Sequence, residues 1–108
     1  MVAATLAQAA IAQRRQMQRE QLRAQAFWLV ESGIDRAAAA LGRDPMYAGE
    51  EWQVAVPAAF EPQPGLVAIR VTAVDNRADK RRVEVTAEFP TGEVHRATLR
   101  RHLTVTLH

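Results

Sequence analysis

Few side chains in this 108-residue chain have the type and spacing that metal binding or catalysis requires. The three histidines, His95, His102 and His108, form neither of the close pairs, H-x-H or H-x-x-x-H, that place two imidazoles on one metal ion. The chain has no cysteine, which excludes a disulfide framework, a thiolate metal site and a cysteine nucleophile. The sequence therefore predicts no metal site, and we expect the histidines to be solvated strand side chains.

The remaining candidates for catalysis also lack the context that their chemistry needs. Ser32 is the only serine, and it lies in a helical pattern without the G-x-S-x-G turn that exposes a nucleophile. The neighbouring carboxylates Glu50 and Glu51 are interpreted as solvated loop residues. The five glycines are too scattered for a phosphate-binding loop. We therefore predict no catalytic and no cofactor-binding residue, and a protein that is not an enzyme.

The charge pattern gives little support for a nucleic-acid partner. The chain carries 14 basic and 12 acidic residues, a net charge of +2, and both halves are close to balance. Nucleic-acid binding usually needs a basic patch with aromatic stacking partners beside it. The basic clusters are Arg14-Arg15, Lys80-Arg81-Arg82 and Arg100-Arg101. None of these clusters has an exposed aromatic stacking partner beside it in the sequence. No nucleic acid is expected as a partner, although a binding domain that uses the arginines of one sheet face stays open as an alternative.

The first part of the chain has the pattern of one long helix. Twelve of the 21 alanines lie in the first forty residues of the chain, and alanine has the lowest free-energy cost of entering a helix. Apolar residues recur at steps of three and four from Leu22 to Leu41, whereas residues 13–21 are polar on nearly every side. We predict a helix over residues 1–42, with 1–21 projecting and 22–42 packed. Gly42 is predicted to cap it in a left-handed conformation, and Pro45 prevents its continuation.

After Pro45 the apolar period becomes two, which is typical of half-buried strands. Four such runs are separated by connectors at residues 57–65, 75–79 and 90–92, and the short connectors predict antiparallel hairpins. The fold class is therefore predicted as α+β, with a long N-terminal helix packed across a four-stranded antiparallel sheet. Residues 43–108 form the sheet region of the same single domain. The predicted core pairs Phe27, Val30, Ile34 and Leu41 with Val54, Ile69, Val71, Val85 and Val105, while Tyr47 and Trp52 fold back on the helix end.

The N-terminal residues 1–12, MVAATLAQAAIA, are uncharged and mostly small or apolar, and Arg14-Arg15 follow them. A secretory signal would carry its positive charge before the apolar run. Twelve residues of helix are also too short to span a bilayer. Two interpretations stay open, namely an exposed alanine-rich lead-in and the C-terminal end of a membrane helix.

The segment from Gln25 to Trp52, QAFWLVESGIDRAAAALGRDPMYAGEEW, resembles minor pilins and pseudopilins of type IV pili and type II secretion systems. The pattern is a helix A-x-W-L-x-E-S/A-G-I-x-R-A followed by a link D-P-x-Y-x-G-E-x-W into a strand. The matching residues are Ala26, Trp28, Leu29, Glu31, Ser32, Gly33, Ile34, Arg36, Ala37, Asp44, Pro45, Tyr47, Gly49, Glu50 and Trp52.

The resemblance implies a non-enzymatic structural subunit of a pilus or secretion filament. Its implied partners are other pilin-like subunits, contacted through the N-terminal helix, and the bacterial inner membrane where the full-length helix is present. The sheet domain would lie in the periplasm. The alternative is a small soluble interaction or adaptor module whose helix pairs with a partner helix.

The chain departs from the family pattern at its N-terminus. The family's leader glycine and the glutamate near the start of its apolar helix have no counterpart, because no glycine precedes Gly33 and no glutamate precedes Glu20. The resemblance then implies that this sequence begins partway through the helix, with residues 1–12 as the end of the membrane segment. The processing site and the assembly glutamate are assigned to no residue.

Overall fold

A computed structural model describes residues 2–57 and 61–108, with side chains from Ala7 onward. Helix α1 spans Val2–Arg43, and four strands follow it: β1 Gly49–Val56, β2 Gln63–Val74, β3 Arg77–Phe89 and β4 Ala97–Thr106. Met1 and residues 58–60 of the predicted first connector lie outside the described residues. The predicted fold class is confirmed, since one long helix packs against a four-stranded antiparallel sheet.

The sheet has the order β1-β2-β3-β4, so each strand pairs antiparallel with the next one in the chain. Two of its connectors are shorter than the sequence indicates. β2 already begins at Gln63, and β2 and β3 are joined by the two-residue turn Asp75-Asn76. Asn76 has a φ of 63°, a left-handed conformation that asparagine tolerates well in two-residue hairpin turns.

The core lies between one side of α1 and the inner face of β2 and β3. Ala26, Val30 and Ala37 are fully buried on the helix, and Val67, Val85 and Ala87 are fully buried on the sheet. The predicted core residues Val30, Leu41, Ile69, Val71 and Val85 are buried, whereas Ile34, Val54 and Val105 are partly buried at its margin.

The placement of Phe27 in the core was wrong, because its side chain is 47% exposed. At 3.6 residues per turn, Phe27 lies about 100° around the helix from the fully buried Ala26. The apolar stripe in the sequence is wider than the side of the helix that the sheet covers. Phe27 falls on its outer margin.

The prediction that Gly42 caps the helix in a left-handed conformation was also wrong. Gly42 lies inside α1, which ends one residue later at Arg43, and its φ is not positive. The Asp44 amide still donates to the Ala40 carbonyl at 2.8 Å, and the Asp44 carboxylate accepts from the Met46 amide at 2.9 Å. The chain therefore leaves the helix at Asp44-Pro45, where the proline disfavours helical geometry for the residue before it. The first positive φ after the helix is at Gly49, 119°.

At Gly33 the helix backbone lies close to the side chains of the sheet. A Cβ added there would lie 2.6 Å from Val85 Cγ1 and 2.7 Å from Val67 Cγ1, both shorter than real contacts allow. Valine side chains are stiff at χ1, so neither methyl can rotate away cheaply. The absence of a side chain at Gly33 therefore sets the distance at which α1 packs on β2 and β3.

Replacing Gly33 with alanine should lower the free energy of unfolding by about 1–3 kcal/mol, the usual cost of overpacking a core. The matched control is Gly42→Ala in the same helix, where an added Cβ meets nothing within 4 Å. There the better helix propensity of alanine should raise stability by about 0.5–1 kcal/mol. Urea denaturation of both variants measures the difference. Equal stabilisation by both would mean that the helix does not approach the sheet at Gly33.

Candidate functional site

The side chains that could have catalysed a reaction are dispersed over the molecule. His102 lies on β4 opposite Glu84, His95 lies in the connection between β3 and β4, and His108 is the last residue. Ser32 is exposed on α1. Among residues 2–57 and 61–108, no group of three or more His, Asp or Glu side chains could hold a metal ion.

A polar cluster at the junction of the helix and the first strand is the best-defined group of interacting side chains. Arg36 on α1 donates from Nε to Glu50 Oε1 at 2.6 Å, and the Tyr47 hydroxyl donates to the same oxygen at 2.9 Å. The Arg36 guanidinium also lies over the Trp52 ring, 4.5 Å from its centroid. The interpretation of Glu50 and Glu51 as loop residues was therefore wrong, because both belong to β1. Glu50 is also paired and not simply solvated, whereas Glu51 is exposed as expected.

The electrostatics of this junction cluster, Arg36, Tyr47, Glu50 and Trp52, follow from its hydrogen bonds. Donation from Arg36 and then from Tyr47 holds the pKa of Glu50 below its ordinary value, and the bond to Glu50 raises the pKa of Arg36. Burial, together with the neighbouring Glu50, raises the pKa of Tyr47 to about 12. These shifts favour a charged Arg36–Glu50 pair and a neutral tyrosine. The pair and the tyrosine hydrogen bond hold the segment between α1 and β1 against the helix. Tyr47 and Trp52 both pack against the core cluster that includes Leu41.

A second ion pair ties the opposite side of the helix to the other edge strand. Arg101 Nη1 on β4 donates to Glu31 Oε1 on α1. Arg101 has the inward parity of β4, which it shares with the partly buried Leu99 and Leu103. The sequence placed Arg101 only in a basic cluster, because the pairing with Glu31 spans seventy residues and has no local pattern.

The N-terminal half of α1 extends past the sheet. Its side chains from Ala7 to Gln21 are all exposed, and they include the apolar Ile11 and Met17, which are 53% and 56% exposed. The 42 residues of the helix correspond to about 63 Å at 1.5 Å per residue. The long dimension of the molecule is 67 Å, against 29 and 20 Å across. Within the described residues, no helix is long and apolar enough to cross a membrane.

An aromatic pair is exposed on the helix next to the point where it joins the sheet. The Phe27 and Trp28 rings meet edge to face, with centroids 6.2 Å apart, and Trp28 is 65% exposed. A pair of large rings on the surface is common where a protein contacts a partner. The sequence does not predict this surface, because its apolar helical stripe places Phe27 in the core.

Comparison with protein-family models, with curated proteins and with solved structures finds no match for this chain. The fold agrees with a pilin-like architecture only at the level of one helix packed on a four-stranded antiparallel sheet.

Tyr47 is the only tyrosine, so the ultraviolet absorbance of tyrosinate reports on this one group. We expect its titration midpoint near pH 12 in the folded protein, against an ordinary value of 10.0. Glu50→Gln should lower the midpoint, because a neutral partner no longer opposes a second negative charge. Glu51→Gln, at an exposed site, should leave it unchanged. The raised pKa also means that the contribution of Tyr47 to stability is complete below pH 10 and is lost as the pH rises toward 12. An ordinary midpoint in the folded protein would contradict the described cluster.

Proposed function

We propose that this protein is a non-enzymatic structural subunit of a pilus-like or type II secretion filament, similar to a minor pilin or pseudopilin. The observation that carries the proposal is the exposed N-terminal half of α1. A helix that is exposed on all sides for four turns gains nothing from the packing that stabilises most helices in proteins. Contact with neighbouring copies, or with a membrane, would supply that packing.

The composition of the exposed helix supports a role in assembly. Ile11 and Met17 are both more than half exposed, although large apolar side chains are normally buried. Between them lie Arg14 and Arg15, which would stay in water or meet charged groups of a partner. The uncharged residues 7–13, followed by Arg14 and Arg15, suit a helix that leaves an apolar environment and enters a polar one.

The residues that resemble the pilin-like pattern support the same proposal in a second way. Four of them, Arg36, Tyr47, Glu50 and Trp52, form the junction cluster that fixes the link between helix and sheet. Gly33, another of them, lies where the helix backbone is close to the valines of β2 and β3. In this proposal the segment from Gln25 to Trp52 joins an assembly helix rigidly to the exposed sheet domain. The sheet domain would face the periplasm, with the inner membrane as the site of anchoring.

An alternative function is a small interaction or adaptor module. The exposed pair of Phe27 and Trp28 favours it, because these rings lie on the packed half of the helix and not on its projecting half. In that case the partner would cover residues 27 and 28, and the N-terminal half of α1 would stay uncovered.

Site-specific cross-linking in cells separates the two functions, because the chain has no cysteine of its own. Ile11→Cys and Met17→Cys, introduced at the natural gene locus, should give cross-linked homo- or hetero-oligomers with a bismaleimide. Thr72→Cys, at an exposed position near the far end of β2, is the matched control and should stay monomeric. Cross-links at Trp28→Cys, without any at residues 11 and 17, would favour the adaptor module.

Cell fractionation of the same strain tests localisation. The proposal requires that the protein expressed from its natural locus accompanies the inner membrane and that its sheet domain is accessible from the periplasm. A product found only in the cytosol would contradict the filament assignment.

A further inference from the structure

The side of α1 that packs on the sheet changes from apolar to basic where the sheet ends. Arg19 lies seven residues before the buried Ala26, and Arg23 lies seven residues before the buried Val30. Seven residues are nearly two turns of helix, so both arginines point to the same side as the core residues. They also lie one turn apart from each other, which places them side by side.

The connection between β3 and β4 lies beneath these arginines. Arg19 and Arg23 line a cleft of about 250 Å³ together with His95 and Arg96, and the apolar residues of its lining are Leu22, Val94 and Ala97. Both walls are anchored in the fold. Leu22 packs against the core, and Ala97 pairs with Phe89 at the start of β4.

The cleft has an excess of positive charge. Arg96 is partly neutralised, because its Nε lies 3.3 Å from Glu88 Oε1 and its Nη1 donates to the Glu93 carbonyl at 3.0 Å. Within the described part of the chain, no carboxylate pairs with Arg19 or Arg23. Glu20 lies between them in sequence, but it accepts a hydrogen bond from Gln16 at 3.4 Å and does not line the cleft.

Charge over the whole molecule is distributed in the same way. Residues 7–25 contain four arginines and one glutamate, a net charge of +3, whereas residues 26–108 contain ten basic and eleven acidic residues. The overall charge of +2 therefore conceals a basic segment that ends at this cleft.

We propose that this cleft binds a phosphate-type oxyanion, either a free phosphate or the phosphate of an anionic headgroup. Arg19 and Arg23 would supply the charge-assisted hydrogen bonds, since the guanidinium fork matches the geometry of phosphate oxygens. One N–H of the His95 imidazole would add a third donor. The small volume, and a lining with no Phe, Tyr or Trp ring, fit one phosphate group better than the stacked bases of a nucleic acid. The proposal is independent of filament assembly.

The test uses the full chain, labelled for nuclear magnetic resonance and titrated with sodium phosphate against sodium chloride at matched ionic strength. Saturable shifts should be confined to the side chains of Arg19, Arg23 and His95 and to the amides of residues 94–97. Arg19→Gln/Arg23→Gln should weaken binding by about tenfold or more, the usual consequence of losing charge-assisted hydrogen bonds. The control Arg43→Gln/Arg70→Gln removes the same charge from exposed positions away from the cleft and should change binding by less than about twofold, as screened surface charges do.

A second arm separates the two sources of phosphate. Co-sedimentation with phosphatidylcholine vesicles is compared with vesicles that also contain anionic phosphatidylglycerol. Retention by the anionic vesicles that is lost in Arg19→Gln/Arg23→Gln supports a headgroup ligand. Saturable binding of inorganic phosphate alone supports a free anion. Unsaturable shifts, equal loss in the control variant, or selective binding of an oligonucleotide would overturn the proposal. All substituted residues are exposed, so the variants should fold, and their amide spectra check this.

Discussion

The close contact at Gly33 is the constraint on which the rest of the structure depends. Two valine methyl groups, one from β2 and one from β3, occupy the space that a side chain at residue 33 would need. The sheet contributes a similar gap at Gly65, where an added Cβ would lie 2.9 Å from Leu29 Cδ1. Each glycine admits an aliphatic side chain of the opposite layer. In a domain of this size, where little apolar surface is available, this close packing leaves valine as the largest side chain at the fully buried centre of the core, at Val30, Val67, Val83 and Val85.

The buried side chains fix the height and the rotation of the helix on the sheet, and two ion pairs flank this contact. Arg36 reaches Glu50 on β1, and Glu31 reaches Arg101 on β4, so each edge of the sheet holds one side of the helix. All four side chains are about one third to one half exposed, and pairs of this kind add little to stability. A helix turned about its axis would expose the buried Val30 and Ala37 and would also break one of the ion pairs. The buried contacts and the pairs together therefore determine which side of the projecting half continues the sheet-facing side.

The sequence predicts the elements well and their margins poorly. Periodicity identifies the helix, the four strands and the core residues Val30, Leu41 and Val85, because burial of a regular element imposes its own period on the chain. Periodicity misplaces Phe27, because the width of the apolar stripe on the helix does not show how much of that stripe the sheet covers. It misplaces Gly42, since a helix can also end through a proline two residues beyond the last turn. The junction cluster and the Glu31–Arg101 pair have no local pattern, because their partners meet only after the chain folds.

The change of character along one side of α1 connects the fold to its proposed roles. From Ala26 onward that side is made of alanine, valine, leucine and glycine, and it is covered by the sheet. Upstream it presents Arg15, Arg19 and Arg23, which lie one turn apart on the same side. A side chain that carries a charge cannot be buried without a partner, so this boundary sets how far a sheet of this kind can extend along the helix. Under the filament proposal, a partner that covers the upstream half would have to offer negative charge on this side, which neutral hydrocarbon cannot do and a phosphate group or an acidic neighbour can.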